Sequence, residues 1–116
     1  MADITLPWPP AVNNLYMNVG KRRIRSKRYD AWLADAAVML RKQNAPAVLG
    51  RFTFFMRCSP PDRRKRDLDG LAKAPLDFLV KARVIEDDSL AQQINLSWSL
   101  LAPVKPGYVT IVIEAA

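Results

Sequence analysis

Prolines divide this chain into short pieces. Nine of its 116 residues are proline, a residue that donates no backbone hydrogen bond and is poorly tolerated inside helices and central strands. Pro7, Pro9 and Pro10 close a strand begun by Ile4-Thr5-Leu6. Pro46 closes a helix, Pro60-Pro61 ends a strand, Pro75 interrupts a helical pattern, and Pro103 to Gly107 makes a turn.

The pieces between the prolines carry clear periods. After Ser26, a suitable N-cap, Tyr29, Trp32, Leu33, Ala36, Ala37 and Leu40 form one continuous helical face, and Arg41 and Lys42 suit the negative end of the helix dipole. Phe52, Phe54, Met56 and Cys58 alternate with Arg51, Thr53 and Arg57 opposite, as a strand does, and Ile94, Leu96, Trp98 and Leu100 alternate with Asn95, Ser97 and Ser99. Val109, Ile111 and Ile113 share one face of a last strand, Tyr108 to Glu114. Leu68, Leu71, Ala72, Leu76 and Leu79 predict a second helix from about Asp69 to Arg83. There Gly70 costs about 1 kcal/mol against Ala and an interior proline about 3 kcal/mol. Pro75 therefore predicts a kink, or a helix that starts near Ala74. Asn13 to Gly20 reads as loop, and Lys21 to Lys27 as either a hairpin arm or a flexible loop. The pattern gives an α+β domain spanning residues 1–116, a mixed β-sheet with two helices in the order β-α-β-α-β-β.

Composition removes several chemistries. The chain has no histidine and one cysteine, Cys58. Histidine-assisted nucleophiles, cysteine-rich zinc sites and internal disulfides are excluded. An all-oxygen site for Mg²⁺ or Mn²⁺ remains open. No apolar run approaches the roughly 20 residues of a membrane span, and the N-terminus lacks a signal-peptide pattern, so a cytoplasmic location is expected.

Charge is concentrated. The net charge is +7; residues 21–66 hold 14 Lys and Arg against three acids, and residues 67–88 hold six acids against three cations. The boundary falls inside Asp62-Arg63-Arg64-Lys65-Arg66-Asp67-Leu68-Asp69, and a second acidic cluster, Glu86-Asp87-Asp88, follows. Cations attract a polyanion. Clustered carboxylates repel one unless divalent metal ions stand between them and the phosphates. The combination points to a metal-dependent enzyme acting on phosphodiesters. Asp67 and Asp69, with Asp88 and Asp87 returned by the fold, are the candidate ligands, and Lys73 is placed to reach a phosphate oxygen or leaving group. Arg63, Arg64, Lys65 and Arg66, together with Lys21, Arg22, Arg23, Arg25, Lys27 and Arg28, are the candidate contacts to a nucleic-acid backbone. Each piece also has a structural reading: Asp69 as an N-cap, Lys73 as its surface ion-pair partner, Glu86-Asp87-Asp88 as an acidic turn. Taken together beside four cations, they favour the site. Trp8, Tyr16 and Phe55 are read first as core or dimer contacts, and second as platforms for unpaired bases.

The segment Asp62 to Asp69, continued by Leu71-Ala72-Lys73-Ala74, Asp77, Lys81 and Ile85-Glu86-Asp87-Asp88, resembles the central motif of the RusA family of Holliday junction resolvases. Ile4-Thr5-Leu6-Pro7-Trp8-Pro9-Pro10, Asn13-Asn14 and Tyr16 extend the resemblance to the N-terminus. It implies a small homodimeric endonuclease of bacteria and their prophages, which resolves four-way DNA junctions by paired symmetric nicks with Mg²⁺ or Mn²⁺ and no organic cofactor. It also implies that Asp67, Asp69 and Asp88 are catalytic metal ligands, that Lys73 is essential, and that Asp87 is a weaker transfer. Gly70 and Pro75 depart from the family pattern, which leaves the pose of Lys73 open. Two alternatives stand beside this reading: a non-catalytic basic DNA-binding protein, and a metal nuclease acting on flaps or RNA.

Overall fold

The computed structural model describes residues 1–116. Strand β1 (Ala2–Pro7) leads into a hairpin, β2 (Tyr16–Val19) and β3 (Arg22–Arg25), and then helix α1 (Lys27–Gln43). Strand β4 (Phe52–Ser59), helix α2 (Lys73–Lys81), strand β5 (Ala91–Trp98) and strand β6 (Tyr108–Ala115) complete the chain. The main sheet runs β1-β6-β4-β5; β5 lies parallel to β4, and the other neighbours are antiparallel. The mixed sheet and two helices are those expected, with the β2–β3 hairpin added to the expected order. No helix is long and apolar enough to cross a membrane.

The sheet's inner face carries the core. Ile4 and Leu6, Phe52, Phe54, Met56 and Cys58, and Val109, Ile111 and Ile113 are all buried, and α1 adds Tyr29, Trp32 and Ala36. Burial without ionic partners pushes the Cys58 thiol up to about 11. Helix α1 begins as expected, with the Ser26 hydroxyl accepting from the Tyr29 N–H at 3.1 Å. It ends at Asn44, whose φ of 51° supplies a left-handed cap two residues before Pro46.

The two edges of the sheet are treated differently. On β1, the Gln43 amide accepts from the Thr5 N–H at 2.7 Å and donates to the Thr5 carbonyl at 2.6 Å, as a neighbouring strand would. Trp32 donates its indole N–H to the Pro7 carbonyl at 3.0 Å. Helix α1 thus covers an edge that would otherwise offer unpaired backbone groups. Strand β5 forms the other edge. Ile94 and Trp98 stay partly exposed there, and the strand ends before Leu100, which is fully exposed.

The second helix is shorter than expected. Asp69–Leu71 forms a 3-10 turn, and α2 proper starts at Lys73. Pro75 is then its third residue, and its missing N–H falls among the groups that have no helical acceptor in any case. The proline sets the start of the helix instead of kinking it.

Candidate active site

The loop after β4 is built around one carboxylate. Pro60 and Pro61 turn the chain out of the sheet, and the β5–β6 connection braces that turn. Val104 donates its N–H to the Pro60 carbonyl at 3.0 Å. Gly107, at φ +84°, lies so close that a Cβ would stand 2.9 Å from Pro61 Cδ and 3.1 Å from the Ser59 carbonyl oxygen. Asp62 then gathers the cations that follow it. Its carboxylate accepts from the Arg64 N–H at 3.0 Å and pairs with Arg66 Nη2 at 2.8 Å, with Arg64 Nε at 3.6 Å. The Arg64 N–H foremost, and then the Arg66 and Arg64 side chains, hold this carboxyl below the usual carboxylate range.

Arg66 is the most enclosed cation of the run, with 19% of its side chain exposed. Its Nη1 donates to the carbonyls of Asp62 at 3.4 Å and Arg64 at 3.3 Å. Its guanidinium lies 5.4 Å from the centre of the Trp8 ring, and Trp8 stacks on Trp98 at 6.5 Å. Residues 62–66 are therefore folded back into a ring clamped to the N-terminal strand and the end of β5. Trp8, with buried Pro9 and Pro10 beside it, is an internal strut.

Asp67 and Asp69 emerge from this ring. Both are exposed, and neither is paired with a cation. Lys73 does not pair with Asp69; its Nζ lies 3.2 Å from Asp77 Oδ1, one helical turn on. At the other end of α2, Arg83 takes a φ of 61° and turns the chain sharply, and Val48 bridges to Ile85. Glu86 is committed to structure, accepting from the Gly50 N–H at 2.6 Å. Asp87 caps a 3-10 turn, Asp88–Leu90, by accepting from the Ser89 N–H at 2.9 Å. That N–H, then the Ser89 hydroxyl and Asp88, hold the Asp87 carboxyl below its usual range. Helix α2 packs against both 3-10 turns, so one rigid element carries the Asp69 and Asp88 ends.

The four carboxylates do not converge within the single chain. No group of three or more stands close enough to hold a metal ion. Their chemistry does fit Mg²⁺ or Mn²⁺: all donors are oxygen, all are exposed, and no lysine or arginine pairs with them.

A cavity of about 460 Å³ lies beside Asp67. Arg28, Arg64, Lys65 and Arg66 line it, with Trp8, Asn13, Asn14 and Gly70. The two separate basic segments of the sequence thus meet at one carboxylate. Lys21, Arg22, Arg23 and Arg25 lie on the projecting hairpin, and Lys27 opens α1. Arg63 and Lys65 are exposed and enter no salt bridge. Sequence reasoning missed the organising role of Asp62. Its one signal was the spacing of four residues to Arg66.

Comparison with known proteins gives the family of the chain. The family model described as Endodeoxyribonuclease RusA matches residues 7–114. The crossover junction endodeoxyribonuclease RusA of Escherichia coli K12 is 38% identical over 90 residues, covering 75% of this chain and 73% of the relative. The protein of the same name from Enterobacteria phage 82 is 37% identical over 87 residues, covering 74% and 72%. That of Shigella sonnei is 37% identical over 90 residues, covering 75% and 73%. The chain belongs to the RusA family of endodeoxyribonucleases.

Proposed function

We propose that this protein is a divalent-metal-dependent endodeoxyribonuclease that resolves four-way DNA junctions by paired nicks in recombination and repair. The observation that carries the reading is the Asp62 ring. It folds four consecutive cations into a basic wall and presents Asp67 and Asp69 beside it, free of cation partners. A phosphodiester drawn to that wall meets carboxylates whose repulsion only a metal ion can relieve.

Asp67, Asp69 and Asp88 would hold Mg²⁺ or Mn²⁺, with Asp87 as a further ligand. A metal bound there would supply an activated water and offset charge developing on the phosphate. The chain's own residues do the rest. Arg63, Arg64, Lys65 and Arg66 bind the backbone on one side of the cut, and the Lys21–Arg28 block binds it on the other. Lys73, released from Asp77, stabilises the charge on the phosphate or leaving oxygen. No organic cofactor takes part. One chain has one carboxylate site, so two matched cuts call for a homodimer with a two-fold axis. The phage-encoded relative fits a prophage origin for such an enzyme.

A gel assay of branched against linear DNA, with Mg²⁺ and with excess EDTA, tests the reading. Cleavage of the branched substrate alone, abolished by EDTA, supports it. Tight binding without cleavage at any metal concentration would make this a non-catalytic DNA-binding protein. Equal cleavage of flaps or RNA would mean a metal nuclease of other specificity.

A further inference from the structure

The β2–β3 hairpin is firmly rooted, yet it projects. At its base, Ser26 donates its N–H to the Leu15 carbonyl at 2.9 Å and its hydroxyl to the Asn14 carbonyl at 2.6 Å. Leu15 is buried, and the Tyr16 ring meets Tyr29 edge-on at 5.8 Å. Beyond that root every residue from Met17 to Arg25 is exposed. Gly20 has a φ of +62° and Lys21 does not share it, which is the form of a two-residue turn led by glycine.

The register sorts the hairpin into two different faces. Met17 faces Ile24 and Val19 faces Arg22, so these four side chains stand on one side. On that side Met17, Val19 and Ile24 are 48%, 51% and 36% exposed. The other side is tied down: Arg23 lies 4.5 Å over the Tyr16 ring, and Arg25 pairs with Asp30 at 2.7 Å. Lys21 and Arg22, at the tip, enter no salt bridge, and no acid occurs between Asp3 and Asp30. An isolated two-stranded ribbon is marginal in water, and an apolar stripe facing solvent makes it no better. The stripe calls for a partner.

The charges around it select that partner. Cations without a single acid complement a polyanion, and the hairpin rises from Asn14, which lines the Asp67 cavity. A continuous duplex offers phosphates and groove edges but hides its base faces in the stack. A branch point interrupts stacking and exposes them. Met and Ile are among the side chains that proteins insert between unstacked base steps.

Resting on the junction-nuclease reading above, we propose that the β2–β3 hairpin is the element that distinguishes branched from linear DNA. Met17, Val19 and Ile24 pack against base faces opened at the branch point, while Lys21 and Arg22 hold the flanking phosphates. The strand leaving the branch is thereby led to the Asp67 cavity. Selectivity for branching lies in apolar side chains, and the cations supply affinity for any DNA.

The test is the triple variant Met17→Thr/Val19→Thr/Ile24→Thr. Threonine keeps strand propensity, and the three positions lie outside the core. Affinities for a four-way junction and for a linear duplex of the same sequence are measured in EDTA across a range of salt. The expected result is a loss of about tenfold on the junction and less than about twofold on the duplex, with the salt slope unchanged. Lys21→Ala/Arg22→Ala should instead weaken both substrates and flatten both slopes by about two. A triple variant that keeps the wild-type ratio of junction to duplex affinity, or that weakens both equally, overturns the proposal. So does a changed oligomeric state in sedimentation, which would make the stripe a contact between copies. Met17→Thr alone should move the ratio in the same direction, and it decides the matter if the triple variant unfolds. Wild-type protein with no preference for junctions would remove the parent reading; a preference that survives the triple variant removes only the hairpin's role.

Discussion

Two basic segments of similar composition become different devices. Lys21 to Arg28 carries six cations in eight residues, and Arg63 to Arg66 carries four in a row. In the first, the backbone pairs with itself as a hairpin and lifts its tip away from the body. In the second, no strand or helix forms, and the run is bent into a ring by Asp62 and locked by Arg66 on Trp8. Backbone hydrogen bonds make a lever that reaches; side-chain contacts make a clamp that positions. The clamp is the part that fixes Asp67, one residue past Arg66.

The largest effect should come where the clamp presents its carboxylates. Asp67→Asn removes a proposed metal ligand and one negative charge near the phosphates. Cleavage of a junction should fall by more than about a hundredfold, since even outer partners of metal ligands are worth 10–100-fold. Junction binding should stay equal or tighten. A folded variant that loses binding would make the clamp a binding device only.

Arg66→Ala asks whether the clamp is mechanical. Its guanidinium holds Asp62 and covers Trp8, so the variant should lose about 1–2 kcal/mol of stability by denaturant titration. Arg63→Ala/Lys65→Ala should leave stability within about 0.5 kcal/mol. The double variant should instead flatten the slope of log affinity against log salt by about two. Equal stability losses in the two variants would erase the distinction between locked and free cations. Smallest of all should be Tyr29→Phe at the hairpin's root. The Tyr29 hydroxyl is buried without a hydrogen-bond partner, and burial, with Asp77 nearby, pushes it up to about 12. Removing it should be neutral or stabilise by up to about 1 kcal/mol in thermal unfolding.

The same contrast explains what the sequence could and could not tell. Strand β4 was legible because Phe52, Phe54, Met56 and Cys58 all face a dry core, and burial imposes a period of two. Strands β2 and β3 face water on both sides, so nothing forces alternation, and the Gly20-Lys21 turn is a weaker signal than Asn-Gly. The start of α2 was ambiguous because a proline breaks a helix interior yet fits a first turn, and only the packed structure decides which place Pro75 takes. Asp67 and Asp69 stand out as candidates by their spacing and charge. The Asp62–Arg66 lock does not, because it depends on a long side chain reaching back to its own loop. Lys73 lies on the expected helix, but its ion-pair partner is Asp77, one turn on, and not Asp69.

In the proposed active site Asp67, Asp69 and Asp88 act on one metal although they stand apart in the single chain. Titration of Mn²⁺ into the protein bound to a junction with non-hydrolysable linkages at the cut positions, followed by electron paramagnetic resonance, tests it directly. Asp67→Asn, Asp69→Asn and Asp88→Asn should each weaken Mn²⁺ binding by at least about tenfold, with junction affinity in EDTA preserved. If Asp88→Asn bound Mn²⁺ as tightly as the wild type while Asp67→Asn and Asp69→Asn did not, the three carboxylates would not share a metal, and the proposed active site would be wrong.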